Sequence, residues 1–201
     1  KDLKDYLVKW LSNKITIELD SLFKLKSIKE SNSQVRALSY QLYENYGVVK
    51  REKVVSLVKK ITQEDRKSLR DIGVKFGRYH IFLFKLFKPK QVSLRVLLWK
   101  NFKQINLSLK PPTFGLNFTD NSKFENKDFM LLCGFEKFDR FFVRIDILER
   151  LFIHIIKNNL ENNQEVKLVP EMLNLLGCNK ENFIKLIKNM NYKLFEKNNE
   201  T

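Results

Sequence analysis

The chain has 201 residues, of which 43% are hydrophobic, which is enough for the core of one large domain or two small ones. Its 38 Lys and Arg against 23 Asp and Glu give a net charge of +15, which favours an anionic partner: RNA, DNA or anionic lipid. Lys and Asn are abundant, and an A+T-rich genome favours both residues in all of its proteins. We therefore expect that part of the excess of basic over acidic residues reflects genome composition.

Hydropathy and cysteine usage exclude several classes of protein. No charge-free apolar run approaches the roughly 20 residues that a membrane-spanning helix needs, so we expect a soluble protein with no membrane partner. The chain starts at Lys1 rather than Met and shows no secretory core, so we expect no leader, a cytoplasmic location and a longer parent protein. Cys133 and Cys178 are too few for a disulfide framework or a four-cysteine zinc site, and we expect buried, reduced thiols.

The first helix predicted from the sequence covers residues 3–28. Its apolar residues recur at spacings of three, four and one, which indicates a single apolar stripe. The residues of this stripe are Leu3, Leu7, Trp10, Leu11, Ile15, Leu19, Leu22 and Phe23. A second helix follows Ser33 and stops at Gly47, a suitable residue for a helix C-terminus.

Two more helices complete the N-terminal part. The segment "KREKVVSLVKKI" predicts a short helix, and Thr62 with Asp65 three residues later has the spacing of a capping box for the next one. Residues 1–72 are therefore predicted to form an antiparallel helical array.

The middle part, residues 73–135, is predicted to hold an aromatic and basic segment, a helix and an irregular loop. Gly73 and Gly77 interrupt the helical period, and "RYHIFLF" is apolar enough for a buried strand. Pro89 suits the first turn of a helix. We expect its core-facing residues to be Val92, Val96, Leu97 and Trp99. Residues 110–128 are the best candidate for a boundary or a mobile loop.

The last part, residues 136–201, predicts a small α/β unit. Residues 141–146 alternate like a strand, and Asp146 with Glu149 has capping-box spacing for a helix through Lys157. Beyond it, the strand candidates "EVKLV" and "YKLFEK" flank one helix opened by Pro170 and another capped by Asn179.

This order of elements resembles a winged helix over residues 141–197, and a plain helical bundle with extended ends is the alternative. The predicted fold class is therefore mainly α, with an antiparallel helical array followed by a small α/β part resembling a winged helix.

The sequence lacks the usual catalytic motifs. None of its six glycines begins a phosphate-binding loop, and no GxGxxG occurs. His80 and His154 have no Cys or His at metal-ligand spacing, and we interpret His154 as a structural residue. Asp146 and Glu149 fit a helix cap better than an acid–base pair. We expect no catalysis, cofactor or metal in this chain alone.

Candidate nucleic-acid-binding residues concentrate between residues 66 and 102. Lys75, Arg78, Tyr79 and His80 combine cationic and aromatic groups that can contact phosphate and stack on a base. The predicted continuation of this basic face comprises Lys85, Lys88, Lys90, Arg95 and Lys100. The alternative is that these cations are solvated neighbours of core residues, here Phe76, Ile81, Phe82, Phe84 and Phe87.

A second candidate surface lies on the last predicted helix. Lys180, Lys185 and Lys188 are spaced for one exposed side, as on the recognition helix of a DNA-binding module. An ordinary solvated helix face is the alternative.

Four segments together resemble the C-terminal region of bacterial helicases akin to the mitochondrial degradosome RNA helicase, which are ATP-dependent superfamily-two enzymes of the DExH type. These segments are "RALSYQLYENYGVVKREKVVSLVKKI", "RKSLRDIGVKFGRYHIFLFKLFKPKQVSLRVLLW", "VRIDILERL" and "LLGCNKENFIKLIKNM". The resemblance runs from about Trp10 to Tyr192, and "GVKFGRYHIFL" and "VRIDILERL" are its specific parts. It implies that two RecA-like motor domains, with their ATP and Mg²⁺, precede Lys1 in the full protein.

The resemblance implies a non-catalytic accessory role for this chain. The family's phosphate-binding loop, DExH box and arginine-finger motif are absent, so no catalytic residue carries over. The region would pack on its own motor domains and help to form a channel for single-stranded RNA, or DNA, and the mitochondrial relative implies an exoribonuclease partner in RNA decay. A winged-helix DNA-binding module and a protein-interaction scaffold with exposed apolar helix faces are the alternatives.

Overall fold

The computed structural model describes residues 2–28, 32–104, 109–120, 126–157 and 168–193. In this part of the chain there are ten α-helices, two short 3₁₀ helices and six short β-strands. The prediction of a mainly α fold with a small α/β part is therefore confirmed. The chain divides into two compact units, Lys1–Pro111 with Leu132–Gly134, and Pro112–Leu131 with Phe135–Thr201.

The first unit begins with two helices, α1 (Asp2–Glu18) and α2 (Asp20–Lys26), where the sequence predicted one. They break at Leu19, whose carbonyl accepts hydrogen bonds from both Leu22 and Phe23. This tightened turn redirects the chain, so Leu19 and Leu22 are buried whereas no residue of α1 is. The prediction of one long helix over residues 3–28 is therefore wrong, and the apolar side chains in the N-terminal half of its stripe are exposed.

Helices α3 (Ser33–Glu44), α4 (Val55–Lys60) and α5 (Gln63–Ile72) complete the helical part of this unit. The capping box at Thr62 is confirmed, because its side chain accepts from the Asp65 N–H while the Asp65 carboxylate accepts from the Thr62 N–H. The stop at Gly47 is also confirmed: the residue has φ +86° and its N–H donates to the Leu42 carbonyl.

A three-stranded antiparallel sheet packs against these helices. Its strands β1 (Val48–Lys50), β2 (Val74–Phe76) and β3 (His80–Leu83) lie in the order β1-β3-β2. The predicted strand in "RYHIFLF" is confirmed as β3, but β1 and a 3₁₀ turn occupy the start of the predicted third helix. One face of the sheet joins the buried core of α2–α5, through Val49, Val74, Ile81 and Leu83.

Helix α6 (Pro89–Lys103) follows a 3₁₀ turn at Phe84–Phe87. Pro89 occupies its first turn, as predicted. Val92, Val96 and Trp99 are buried, but the prediction that Leu97 faces the core is wrong, because Leu97 is 48% exposed. The other buried residues of this helix are Leu94, Arg95 and Lys100.

The second unit contains the sheet β4-β6-β5, formed by Phe118–Asp120, Phe141–Arg144 and Phe135–Phe138. Its helices are α7 (Lys127–Leu132), α8 (Ile145–Lys157), α9 (Pro170–Leu176) and α10 (Lys180–Asn189). Helix α8 packs against β6 and α9. Pro170 opens α9, and the Asn179 side chain caps α10 by accepting from the Asn182 N–H, as the sequence predicted.

Two local predictions in this unit need correction or limitation. The capping box at Asp146 and Glu149 is wrong, because α8 starts at Ile145 and Asp146 lies inside its first turn, where it accepts two hydrogen bonds from Arg144. The strand candidates "EVKLV" and "YKLFEK" fall mostly outside the described residues; their described residues, 168–169 and 192–193, are not in strands. The β5–β6 hairpin precedes α8.

None of the helices in the described ranges is long and apolar enough to cross a membrane.

Candidate nucleic-acid interface

Cationic side chains from two separate segments come together at one end of the β1-β3-β2 sheet. Lys50 ends β1 and pairs with His80, the first residue of β3, beside the β2–β3 turn. We call this surface the hairpin end and define it by Lys50, Arg51, Lys75, Arg78 and Tyr79.

The strand register places two of these lysines on the same face. Lys75 is paired with Phe82, and Lys50 lies two residues after Val48, which is paired with the same Phe82. Directly paired residues and residues two apart in a strand share a face, so Lys50 and Lys75 flank β3 on the face opposite the helical core. Lys75 is exposed and Lys50 is half-buried.

Arg51 holds the turn between β2 and β3 in place. Its Nη1 donates to the Gly77 carbonyl over 2.6 Å, and its backbone N–H donates to the Tyr79 carbonyl over 2.9 Å. The Gly77 N–H in turn donates to the His80 carbonyl, which closes the turn. The position of Arg78 at the tip is therefore fixed by contacts from a neighbouring segment of the chain.

Of the two nearby aromatic rings, Tyr79 belongs to this basic surface, whereas Phe76 pairs with Ile81 and so lies on the core face of the sheet. Tyr79 and Phe76 are both half-buried, and the Arg70 guanidinium lies 5.7 Å from the centroid of the Phe76 ring. Two exposed carboxylates, Glu52 and Asp71, are sequence neighbours of Arg51 and of Arg70 respectively. Half-buried rings beside cations are the arrangement that single-strand binding surfaces use for stacking.

The other residues predicted for this face fall into two groups. Lys85, Lys88 and Lys90 are exposed, along the 3₁₀ turn and the first turn of α6. His80, Arg95 and Lys100 are at most 8% exposed, so the expectation that they extend an exposed basic face is wrong. Sequence spacing alone could not reveal that these polar residues point inward.

Two backbone carbonyl oxygens accept hydrogen bonds from the Arg95 guanidinium and so offset the cost of burying its charge. Its Nη1 donates to the Tyr46 carbonyl over 2.8 Å and its Nη2 to the Leu86 carbonyl over 2.5 Å. Burial lowers the pKa of Arg95 to about 10, against a small opposite effect of Cys133. Burial likewise raises the pKa of the Cys133 thiol to about 12, although Arg95 and Lys100 lower it in part. The hydrogen bonds of Arg95 thus join α6 to the residues before β1 and to the 3₁₀ turn.

Of the five apolar residues that the alternative interpretation assigned to the core, two are buried, two are half-buried and one is exposed. Ile81 and Phe82 are buried, and Phe82 stacks on Phe87 with 5.2 Å between ring centroids. Phe84 differs, because its side chain is 43% exposed.

The second candidate surface lies on α10 in the other unit. Lys180, Lys185 and Lys188 are all exposed, and Lys185 forms an ion pair with Glu181, one helical turn earlier. That lysine lowers the pKa of the Glu181 carboxyl, first through the hydrogen bond and then through its charge. One of the three lysines is therefore already engaged within the helix.

Sequence reasoning missed Lys50, Arg51 and Arg70. The signal for the first two was available in "GVVKRE", where a glycine and two β-branched residues precede the cations, as at the start of a strand. Arg70 lies in a helix, and only the fold brings it beside Phe76. Among the described residues, no group of three or more His, Cys, Asp or Glu side chains could hold a metal ion.

Searches against protein-family models, curated proteins and solved structures found no match to this chain.

Proposed function

We propose that this chain is a non-catalytic C-terminal accessory region of an ATP-dependent RNA helicase, and that it binds single-stranded RNA at the hairpin end. The observation that supports RNA binding is the convergence of Lys50, Lys75 and Arg78 around one end of a sheet. The helicase role is supported by the sequence segments that resemble that family.

The chemistry of the hairpin end suits a flexible polyanion. Lys50 and Lys75 contact successive phosphates from one face of the sheet, and Arg78 contacts a further phosphate from the tip of the turn. Tyr79 offers a ring on which a base can stack. Because Arg51 already holds the turn, little conformational entropy is lost when the strand binds.

In the full protein the accessory region acts with other components. The motor domains supply ATP, Mg²⁺ and translocation, and this region packs on them and holds the strand that they move. An exoribonuclease is the proposed partner in RNA decay, and the cytoplasm is the proposed location.

The test is fluorescence anisotropy of a labelled single-stranded RNA across a salt series. A Lys50→Ala/Lys75→Ala/Arg78→Ala variant should bind more weakly, and its salt slope should be smaller by about 2, since each phosphate contact to a single strand contributes about 0.7. The matched control is Lys180→Ala/Lys185→Ala/Lys188→Ala, which removes the same charge from α10. Equal losses in the two variants would mean that only net charge matters and would contradict a site at the hairpin end.

A second function, binding of duplex DNA, is favoured by the three exposed lysines of the Asn179-capped helix α10. If α10 enters a major groove, the α10 triple variant should bind duplex DNA more weakly than the hairpin-end triple variant does. Unlabelled duplex DNA should also displace a bound probe from the wild type better than single-stranded RNA does. Duplex preference together with sensitivity to the α10 substitutions would replace the RNA proposal.

A further inference from the structure

Helix α1 carries an apolar face that takes no part in the core. Along Asp2–Glu18 no residue is buried, and only Ile15 packs against the core cluster from one side. The exposed large side chains are Leu3 at 73%, Tyr6 at 66%, Leu7 at 52%, Val8 at 59%, Trp10 at 51%, Leu11 at 42% and Ile17 at 65%. At 100° per residue the residues other than Val8 fall within an arc of about 140°, and Ile15 lies about 40° beyond the Leu11 edge of this arc.

The spacing within this arc identifies the kind of surface that it fits. Leu3, Leu7, Trp10, Lys14 and Ile17 follow each other at intervals of four, three, four and three residues, which is the heptad spacing of a seam between two helices. A flat lipid surface is disfavoured, because the helix has three acidic and three basic residues and so no net positive charge. The same balance disfavours a nucleic acid.

We propose that this seam pairs with the same helix of a second copy of the chain, in antiparallel orientation. In this pairing Leu7 packs on the partner's Ile17, and Lys14 lies over the partner's Trp10. The second contact repeats one that the helix already makes within itself, where the Lys14 Nζ lies 4.8 Å from the centroid of the Trp10 ring.

Charge complementarity selects this orientation over a parallel one. The antiparallel register places Lys4, just beside the seam, near the partner's Glu18, and this happens twice by symmetry. A parallel pair would instead oppose Lys14 to the partner's Lys14 inside the seam, which costs free energy. Glu18 is half-buried and accepts from the Gln91 side chain through one carboxylate oxygen, which leaves the other for Lys4. The pairing requires no RNA and is independent of the proposed function.

The first experiment is sedimentation velocity of the 201-residue chain over a concentration series. We expect a reversible dimer with a dissociation constant in roughly the micromolar range, since a short helix pair lies at the low end of interface sizes. Leu7→Glu should weaken the dimer by more than about tenfold because it places a carboxylate in the seam. Val8→Glu is the matched control: Val8 is exposed on the same helix but outside the seam, and its substitution should leave the dimer intact. Neither residue is buried, so both variants should keep the wild-type melting temperature at protein concentrations below the dissociation constant, where the dimer adds no stability.

The orientation is tested by disulfide trapping in a Cys133→Ala/Cys178→Ser background. In the antiparallel pair the two copies of Leu11 lie on the same edge of the seam, offset by only about 3 Å along the axis, so Leu11→Cys should cross-link on oxidation. Two copies of Lys4 lie roughly 24 Å apart at 1.5 Å per residue, so Lys4→Cys should not. Cross-linking at both positions would overturn the antiparallel assignment. A monomer at every concentration, or a dimer that Leu7→Glu leaves unchanged, would overturn the proposal itself.

Discussion

The side-chain amide of Asn32 donates a hydrogen bond to the Asp65 carboxylate over 2.5 Å and so joins the starts of two helices. Asn32 is the N-cap of α3, where its Oδ1 accepts from the Val35 N–H. Asp65 belongs to the capping box of α5, where it accepts from the Thr62 N–H. The Asn32–Asp65 hydrogen bond thus links the N-terminus of α3 to that of α5.

We expect Asp65→Ala to lower the free energy of unfolding by about 1–2 kcal/mol, because it removes a cap and the link to Asn32 together. Chemical denaturation measures this, with Glu64→Ala as the control that loses a neighbouring exposed carboxylate. A double-mutant cycle with Asn32→Ala should give a coupling energy of about 0.5–1 kcal/mol. Additive effects of the two substitutions would show that the link contributes nothing.

Alanine substitutions at Gly47 and Gly73 distinguish the cost of backbone strain from the cost of steric overlap. Both have positive φ, +86° and +106°, but a Cβ at Gly47 would overlap the Leu86 Cδ1 atom whereas one at Gly73 would meet nothing within 4 Å. Gly73→Ala should therefore cost about 1 kcal/mol for strain alone. Gly47→Ala should cost about 1–3 kcal/mol more, since it also overpacks the core. Equal costs in urea denaturation would mean that Leu86 moves aside freely.

These residues also show which predictions a sequence supports. The capping box at Thr62, the stop at Gly47, the opening at Pro89 and the cap at Asn179 were all predicted correctly, because each depends on residues within a few positions of one another. The capping box at Asp146 failed for a related reason. Arg144 is equally local, and its bidentate hydrogen bonds to Asp146 compete for the carboxylate that the cap would need.

Contacts between distant segments were beyond the sequence. Strand β1 is only three residues long and is stabilised by pairing with β3, about 30 positions later, so its own residues carry little signal. Arg95 looked like one more surface cation because its partners, the carbonyls of Tyr46 and Leu86, are backbone groups that leave no trace in residue type. The exposure of the N-terminal half of the apolar stripe could not be predicted, because apolar periodicity identifies one side of a helix but does not show whether another element packs on that side.

The Cys133 thiol should make the fold sensitive to alkaline pH. Its pKa is raised to about 12 by burial, so the folded chain keeps the proton while the unfolded chain loses it above its usual pKa near 8.5. The folded state therefore binds more protons than the unfolded state, and stability falls as pH rises through this range. Between pH 8.5 and 11 the wild type should lose about 3 kcal/mol more than Cys133→Ala. Urea denaturation at several pH values checks this, and parallel pH profiles of the two proteins would contradict it.

Arg95→Met tests whether Arg95 acts in the fold or in binding. The substitution leaves the Tyr46 and Leu86 carbonyls without their donor in a buried site, so we expect a loss of about 2–4 kcal/mol in the free energy of unfolding. Arg95→Lys keeps the charge and can keep one of the two hydrogen bonds, so its loss should be smaller. Because Arg95 is only 2% exposed, neither change should alter the affinity for single-stranded RNA measured well below the melting temperature. A lower affinity and a smaller salt slope in a fully folded Arg95→Lys variant would instead show that Arg95 contributes to RNA binding.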